Sequence, residues 1–383
     1  MKKSTLLLTG FLSLTFANYA QESFPLNFEG NVRTDIIGLK NHDSKKHLLF
    51  HGEADLAVSA STSDLGLYDG GEIFVQGMGI FGNQASANFV GDIQVFSNIE
   101  SDNRIFLYQV YYKHTFNKVI LKLGQLDLNA DYLVSSWASP MINSSFGVIP
   151  TISLNMPASI FAYLAPGVSF KYLQSKQFVF QTAFFSGNPG DFETNPHNLR
   201  WNLKRQDGWF NITEFQFKTR SDLRLGRYKA GFFYHSVSPG DLESINSTKG
   251  NPGFYIIGDQ QITFEKNTIK NGLSLFYQLS WNLAPENMVR SYYSMGLMYR
   301  GMLPHMNEDE FTVALASANL GESYLTENTD CCNHETAIEI TYKKYIMPSW
   351  IIQPDFQYII NPGATNLYAG NTTVFLIRTI YSF

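Results

Sequence analysis

Charge is scarce in this chain of 383 residues. Asp, Glu, Lys and Arg make up 16% of it, against roughly 25% in ordinary soluble domains. The formal net charge is −5 and the pI near 5.9, which is not the strongly basic balance of a nucleic-acid binder. Long apolar runs are missing too. Beyond the N-terminus nothing approaches the about 18 consecutive apolar residues that a membrane helix needs. Cysteine is limited to Cys331 and Cys332, adjacent in TENTDCCNHET. Neighbours of this kind can close only a strained vicinal bridge, and with His334 they do not have a zinc spacing. They read as a loop detail, with a redox switch or a metal clip as the alternatives. No phosphate-binding loop or nucleophile motif occurs. The histidines (His42, His47, His51, His114, His197, His235, His305 and His334) are scattered. No cofactor, metal or catalytic residue is expected.

What the chain has in quantity is aromatic residues, at 15%, with 31 Phe and 21 Tyr, while the mean hydropathy is only −0.14. An aromatic-rich, charge-poor chain with no helical span fits a transmembrane β-barrel. The first twenty residues, MKKSTLLLTGFLSLTFANYA, have two lysines, an apolar core from Leu6 to Phe16, and Ala20. They read as a secretory signal peptide cleaved after Ala20, leaving residues 21–383 as one barrel domain.

The remaining sequence repeats strand, turn, strand. LNFEGNVRTDIIG sets Leu26, Phe28, Val32, Thr34 and Ile36 against Asn27, Glu29, Asn31, Arg33 and Asp35. LLFHGEADLAVSA sets Leu48, Phe50, Ala54, Leu56 and Val58 against His51, Glu53, Asp55 and Ser59. The closing NTTVFLIRTIYSF sets Phe375, Ile377, Thr379, Tyr381 and Phe383 against a face that carries Arg378. Period two separates two faces. Strands of about nine to twelve residues match a tilted membrane strand. Further strands start near Glu72, Phe89, Ile105, Val119, Gly167, Phe178, Ile212, Tyr228, Phe254, Leu273, Tyr292, Phe311, Glu335 and Trp350. That makes seventeen candidates. Single-chain bacterial barrels use even numbers, so one is surplus and the expectation is sixteen. Tight connections (116–119, 174–177) alternate with long polar ones (187–208, 238–253, 318–334), as periplasmic turns alternate with external loops.

A charged face needs water beside it, because isolated buried charge is costly. A wide barrel with a wet lumen supplies that water, with the apolar face turned to lipid. Glu29, Arg33, Asp35, Glu53, Asp55, Asp355, Gln357 and Arg378 are the pore-lining candidates. Their mixture of signs suits neutral polar solutes, where a ring of one sign points to ion selectivity. The segment from Gly124 to Gly167 is about forty residues without strand pattern, and loops of that length are usually functional. It is expected to fold into the lumen and narrow it. Hydroxyl-binding and ring-stacking groups within it are the constriction candidates: Gln125, Asp127, Asn129, Asp131, Tyr132, Trp137, Asn143, Phe146 and Asn155. Turn capping and packing onto the wall is the plainer role for each of them.

Two blocks carry a family resemblance. GQLDLNADY with the following FGVIPTISLNMPAS, and IMPSWIIQPDFQYIINPGATN near the C-terminus, resemble the OprB-type carbohydrate-selective porins. The second block matches that family's QPD-QYI-NPGG signature at Gln353-Pro354-Asp355, Gln357-Tyr358-Ile359 and Asn361-Pro362-Gly363, and departs from it at Ala364. The resemblance implies an all-β, sixteen-stranded barrel in the outer membrane of a Gram-negative bacterium, passing small sugars by passive diffusion. Pro354 cannot donate a ladder bond and is expected to mark a bulge or local break. Expected partners are sugars, outer-membrane lipid, and the barrel insertion machinery through Phe383, with the chain a monomer or homotrimer. A general porin, an outer-membrane enzyme and a plugged barrel are the alternatives.

Overall fold

The computed structural model describes residues 25–40, 45–201, 203–219, 225–237, 250–265, 268, 270–303, 306–327, 332–365 and 370–383. The expected signal peptide, His42, His305 and Cys331 lie outside them. Sixteen strands run in chain order: β1 (Asn27–Lys40), β2 (Lys46–Ser61), β3 (Gly71–Gly82), β4 (Arg104–Phe116), β5 (Val119–Leu126), β6 (Ala165–Tyr172), β7 (Phe178–Ser186), β8 (Trp209–Lys218), β9 (Gly226–His235), β10 (Asn251–Gln261), β11 (Gly272–Asn282), β12 (Val289–Arg300), β13 (Glu310–Leu320), β14 (His334–Met347), β15 (Trp350–Ile360) and β16 (Thr372–Ser382). Each pairs antiparallel with the next, and β16 pairs with β1. Closure leaves no sheet edge unpaired, which is what a strand structure in lipid requires. No described helix is long and apolar enough to cross a membrane.

The period-two faces separate as the sequence implies. Phe28, Ile36, Leu48, Phe50, Leu56, Phe375, Ile377 and Tyr381 are exposed on the outside, while Asp35, His51, Glu53, Asp55 and Arg378 between them are buried. Cross-strand aromatic pairs line the outer face, among them Phe178–Phe217 at 4.9 Å and Phe254–Trp281 at 5.1 Å between ring centroids. The last residue is tied to β1: Phe383 N donates to Gly30 O and Gly30 N to Phe383 O, both at 3.0 Å. The Phe383 ring lies over Gly30, where a Cβ would stand 2.3 Å from Cζ. Glycine is what lets the terminal ring sit there.

The surplus strand is the one expected near Phe89. Ser86–Val90 forms a single π-helical turn instead. From Val90 to Phe96 every second residue is buried against the wall, and Val90 and Phe96 pack on Ile37, Leu39, Ile359, Val374 and Leu376. The other expectations shift at their ends. Residues 251–253 belong to β10, while 318–320 and His334 are strand, with a short helix at Glu322–Glu327 between them. At Pro354 the ladder to β14 breaks locally, with pairing at Thr341↔Asp355 and again at Lys344↔Ile352. The register resumes unchanged, and the bulge falls between Tyr345 and Met347. Pairing to β16 continues through Pro354↔Ile377.

Residues 127–164, between β5 and β6, hold the core of the molecule. Leu128, Tyr132, Leu133, Phe146, Ile149 and Ile152 are almost fully buried against inward side chains of β7–β13, including Phe185, Phe210, Ile212, Phe233, Tyr255, Phe276, Tyr292 and Ala316. Burying each large apolar side chain contributes about 1.5–3 kcal/mol, so this loop is held like a domain core.

Candidate functional site: a cavity between a charged wall and a folded loop

The inner wall has two kinds of surface. From β7 to β13 it offers the apolar residues on which segment 127–164 packs. From β16 through β1 and β2 it offers charge. The segment occupies the first side and leaves a cavity of about 1020 Å³ on the second. The strands contribute Asn31, Arg33, Glu53, Asp55, Gln76, Tyr108, Gln109, Gln353 and Arg378 to its lining. Connection 83–103 contributes Gln94, Asn98 and Glu100, and the segment contributes Asp127, Asn129, Ser144, Phe161 and Tyr163.

Strand register builds the charged wall. Arg33 stands opposite Glu53, Asn31 opposite Asp55, and Asp35 opposite both Arg378 and His51. The Arg33 guanidinium bonds Glu53, and Asn31 Nδ2 donates to both Asp55 carboxylate oxygens at 3.3 Å. Arg378 is bidentate on Asp35, with Nε to Oδ1 and Nη2 to Oδ2 both at 2.8 Å. It also donates to Asn98 Oδ1 at 2.6 Å and Ser97 Oγ at 2.9 Å. Ser97 Oγ in turn donates to Asp35 Oδ2 at 2.7 Å, and His51 Nε2 lies 3.0 Å from that oxygen. Arg378 therefore borders the cavity while joining the first strand, the last strand and connection 83–103.

Other buried carboxylates clamp loop backbone. Glu335 accepts from Ile93 N and Gln94 N at 2.9 Å and from Gly363 N at 2.6 Å. Glu339 accepts from Ile142 N and from Asn143 N at 3.0 Å. Asp259 accepts from Ser135 Oγ and from Ser136 N at 2.9 Å. Glu214 accepts from Leu133 N at 3.3 Å and Tyr255 OH at 2.8 Å. A buried loop amide has no ladder partner, and each of these carboxyl groups offers two oxygens that accept from it.

The sequence-derived candidates divide clearly. Asp127 and Asn129 line the cavity. Asp127 Oδ2 accepts from Tyr108 OH at 2.7 Å and Oδ1 from Asn129 N at 2.8 Å, and burial pushes its carboxyl up to about 6. Asn129 Nδ2 donates to Gly147 O at 3.0 Å. The remaining seven lie away from the cavity. Asp131 is bridged by Lys122 at 2.6 Å and Lys171 at 2.7 Å. Burial raises its carboxyl, but the two ammonium groups outweigh that and hold it below the ordinary value. Gln125 donates to Leu107 O at 2.9 Å and Tyr108 O at 2.8 Å and accepts from Trp201 Nε1 at 3.0 Å. Tyr132 is buried, with its OH 3.2 Å from Ser169 Oγ. Trp137 packs on the loop core, and Phe146 sits edge-on to Phe276 at 6.0 Å. Asn143 caps a turn at Ser145 N and donates to Gln357 Oε1 at 3.3 Å. Asn155 exchanges bonds with Val289 N at 2.9 Å and Val289 O at 2.7 Å.

Of the wall candidates, Arg33, Glu53, Asp55 and Arg378 border the cavity, whereas Glu29 is exposed farther along β1 and is not part of the lining. Asp35 lies beneath Arg378. Gln357 donates to Phe96 O at 2.8 Å and to Asp355 Oδ1 at 3.0 Å, placing both under connection 83–103. Sequence reasoning missed that connection, together with Tyr108, Gln109, Phe161 and Tyr163. A signal was present: Gly91, with φ 75°, breaks the supposed Phe89 strand. Phe161 and Tyr163 are half-buried and share the cavity with Tyr108. The Phe161 and Tyr108 rings meet edge-on at 6.2 Å, and Tyr163 packs on Phe192 at 4.0 Å. No described group of His, Cys, Asp and Glu is placed to hold a metal ion.

Residues 45–383 match the model of the carbohydrate-selective porin family, OprB. Porin B of Pseudomonas aeruginosa is 20% identical over 229 residues, covering 51% of this chain and 50% of that protein. The putative porin QuiX of Acinetobacter baylyi is 21% identical over 291 residues, covering 67% of this chain and 64% of that one. The chain thus spans between half and two thirds of the curated relatives it matches. The high-pH structure of Pseudomonas putida OprB superposes with a TM-score of 0.83 at 16% identity, over 94% of both chains. Its low-pH structure gives 0.60, covering 94% of this chain and 93% of that one. An anion-selective porin from Comamonas acidovorans gives 0.53 at 10% identity, over 94% and 99%. With its closed sixteen-stranded barrel and a family match over most of its length, the chain belongs to the OprB family of carbohydrate-selective porins.

Proposed function

We propose that this protein is an outer-membrane channel through which small sugars diffuse passively, and that segment 127–164 forms the constriction. The carrying observation is the cavity. On one side stand hydrogen-bonding groups that match hydroxyls: Asn31, Asp55, Gln109, Asp127 and Asn129. Beside them stand the partly open rings of Phe161 and Tyr163. A sugar presents hydroxyls at its rim and C–H groups on its faces, so both surfaces have a counterpart. Selectivity of this kind is set by diameter and by the donors and acceptors along the path. Solutes pass unchanged in this reading, and the chain is not an enzyme. Residues 1–20 direct export and are removed. Phe383, already docked on Gly30, is the feature the insertion machinery reads. The outer aromatic rows face lipid or neighbouring copies in a homotrimer.

Liposome swelling tests the function. Vesicles carrying the refolded protein are expected to admit neutral pentoses and hexoses faster than amino acids of equal size. Equal rates for the two classes leave a general porin, and no swelling with either removes the channel reading.

A further inference from the structure

The cavity lining looks mixed in sign, but its cations are already spoken for. Arg33 is bonded to Glu53 and Arg378 is bidentate on Asp35. Lys343 Nζ lies 3.8 Å from Glu310, a carboxylate it shares with Arg300. The lining carboxylates left over outnumber them. Asp55 is held by the neutral Asn31 amide. Asp127 is held by a tyrosine hydroxyl and a backbone amide. Asp191 accepts from Thr194 N at 2.8 Å, with Lys204 its charged neighbour outside the lining. Glu100 accepts from Ser86 N at 2.8 Å, with His51 at 3.5 Å. Neutral donors orient a carboxylate without cancelling its charge. The apolar loop core lies behind one side of the passage, and low-dielectric walls focus the field of such charges into the water between them.

We propose that the passage rejects anionic sugars, such as uronates, and passes neutral sugars and inorganic cations. The inference rests on the channel reading above and specifies its substrate class. The mixed wall foreseen from sequence becomes a negative one once the ion pairs are drawn, because Arg33 and Arg378 are each tied to a carboxylate and four further lining carboxylates stand against Lys343.

The test uses the full mature protein in vesicles and planar bilayers at pH 7.5. Glucose and glucuronate are the sugar probes, and a KCl gradient reports ion preference. Glucuronate is expected to enter about 10-fold or more slowly than glucose at low salt. The zero-current potential is expected to have the sign of K⁺ over Cl⁻. The gap should narrow as the Debye length falls from about 30 Å at 0.01 M to about 8 Å at 0.15 M salt. Asp55→Asn, which keeps the Asn31 contact neutral and touches no loop, is expected to reduce the discrimination, and Asp55→Asn with Asp127→Asn to reduce it further. Equal entry of the two sugars, or a Cl⁻ preference, overturns the inference while leaving the channel intact. Failure of glucose and KCl alike to pass takes down the channel reading, and this inference with it.

Discussion

Removing Asp35 should unlock the barrel at its closing seam. Asp35 and Arg378 face each other across β1 and β16, the junction between the first and last strands. Their side chains are 0% and 5% exposed, so the pair lies at the buried limit. Arg378 makes two 2.8 Å bonds to Asp35 and two more to Ser97 and Asn98. Asp35→Leu strands the guanidinium without its counter-charge, and breaking a buried pair in this way costs about 3–5 kcal/mol. The combined Asp35→Leu/Arg378→Met variant removes both charges and should recover most of that loss, because a packed apolar pair often replaces a buried ion pair at little cost. Urea unfolding in lipid vesicles, followed by tryptophan fluorescence, measures both. Arg290→Ala provides a control: its partner Glu322 is 86% exposed and Arg290 62% exposed, and no measurable change is expected. A single-variant cost below about 1 kcal/mol, or a double variant no better than the single one, refutes the role given to this pair.

Three further outcomes are expected. Glu339→Gln weakens the clamp on Ile142 N and Asn143 N and should speed protease cleavage within 127–164 and raise open-channel current noise. An unchanged cleavage rate would show that apolar packing alone holds the loop. Burial pushes the Glu100 carboxyl from 4.5 to about 7, so the folded state binds its proton more tightly than the unfolded chain. Its contribution is fully present below about pH 4.5 and is lost as pH rises through about 7. Wild type should therefore lose stability relative to Glu100→Gln between pH 5 and pH 8, read from urea midpoints, and a constant difference would count against this burial. Tyr163→Ala should weaken sugar block of the current by about 2- to 12-fold, from an aromatic contact of about 0.5–1.5 kcal/mol. Conductance should be retained, and unchanged block would place sugar contact elsewhere.

The faces of β1, β2 and β16 were legible because one carries charge and the other bulk. Arg33, Glu53, Asp55 and Arg378 sit on the inward face that period two assigns them. The inner wall of β7–β13 was harder to read. FVFQTAFFS is apolar on both faces, since Ala183 and Phe185 meet the loop while Phe184 is exposed outside, so alternation cannot say which face is lumenal. The Phe89 strand failed for a related reason: a loop pressed against a wall buries alternate residues as a strand does. Within 127–164, composition marked the segment as packed but could not separate roles. Asn129 reaches the cavity, while Asn143 and Asn155 spend their amides on turns and on backbone across the barrel. Those assignments depend on contacts with β12, β14 and β15, more than a hundred residues away in sequence.

In the proposed channel, water and solute pass beside the charged wall, while the opposite wall is sealed by the loop. Cysteine accessibility tests it most directly. In a background with Cys331 and Cys332 replaced by serine, Asp55→Cys and Ala316→Cys are each placed in a planar bilayer and exposed to a charged thiol reagent. Asp55 borders the cavity, and Ala316 is fully buried in the loop core. A stepwise fall in single-channel current is expected for Asp55→Cys and no change for Ala316→Cys. Block at Ala316→Cys, with none at Asp55→Cys, would place the passage on the other side of the barrel.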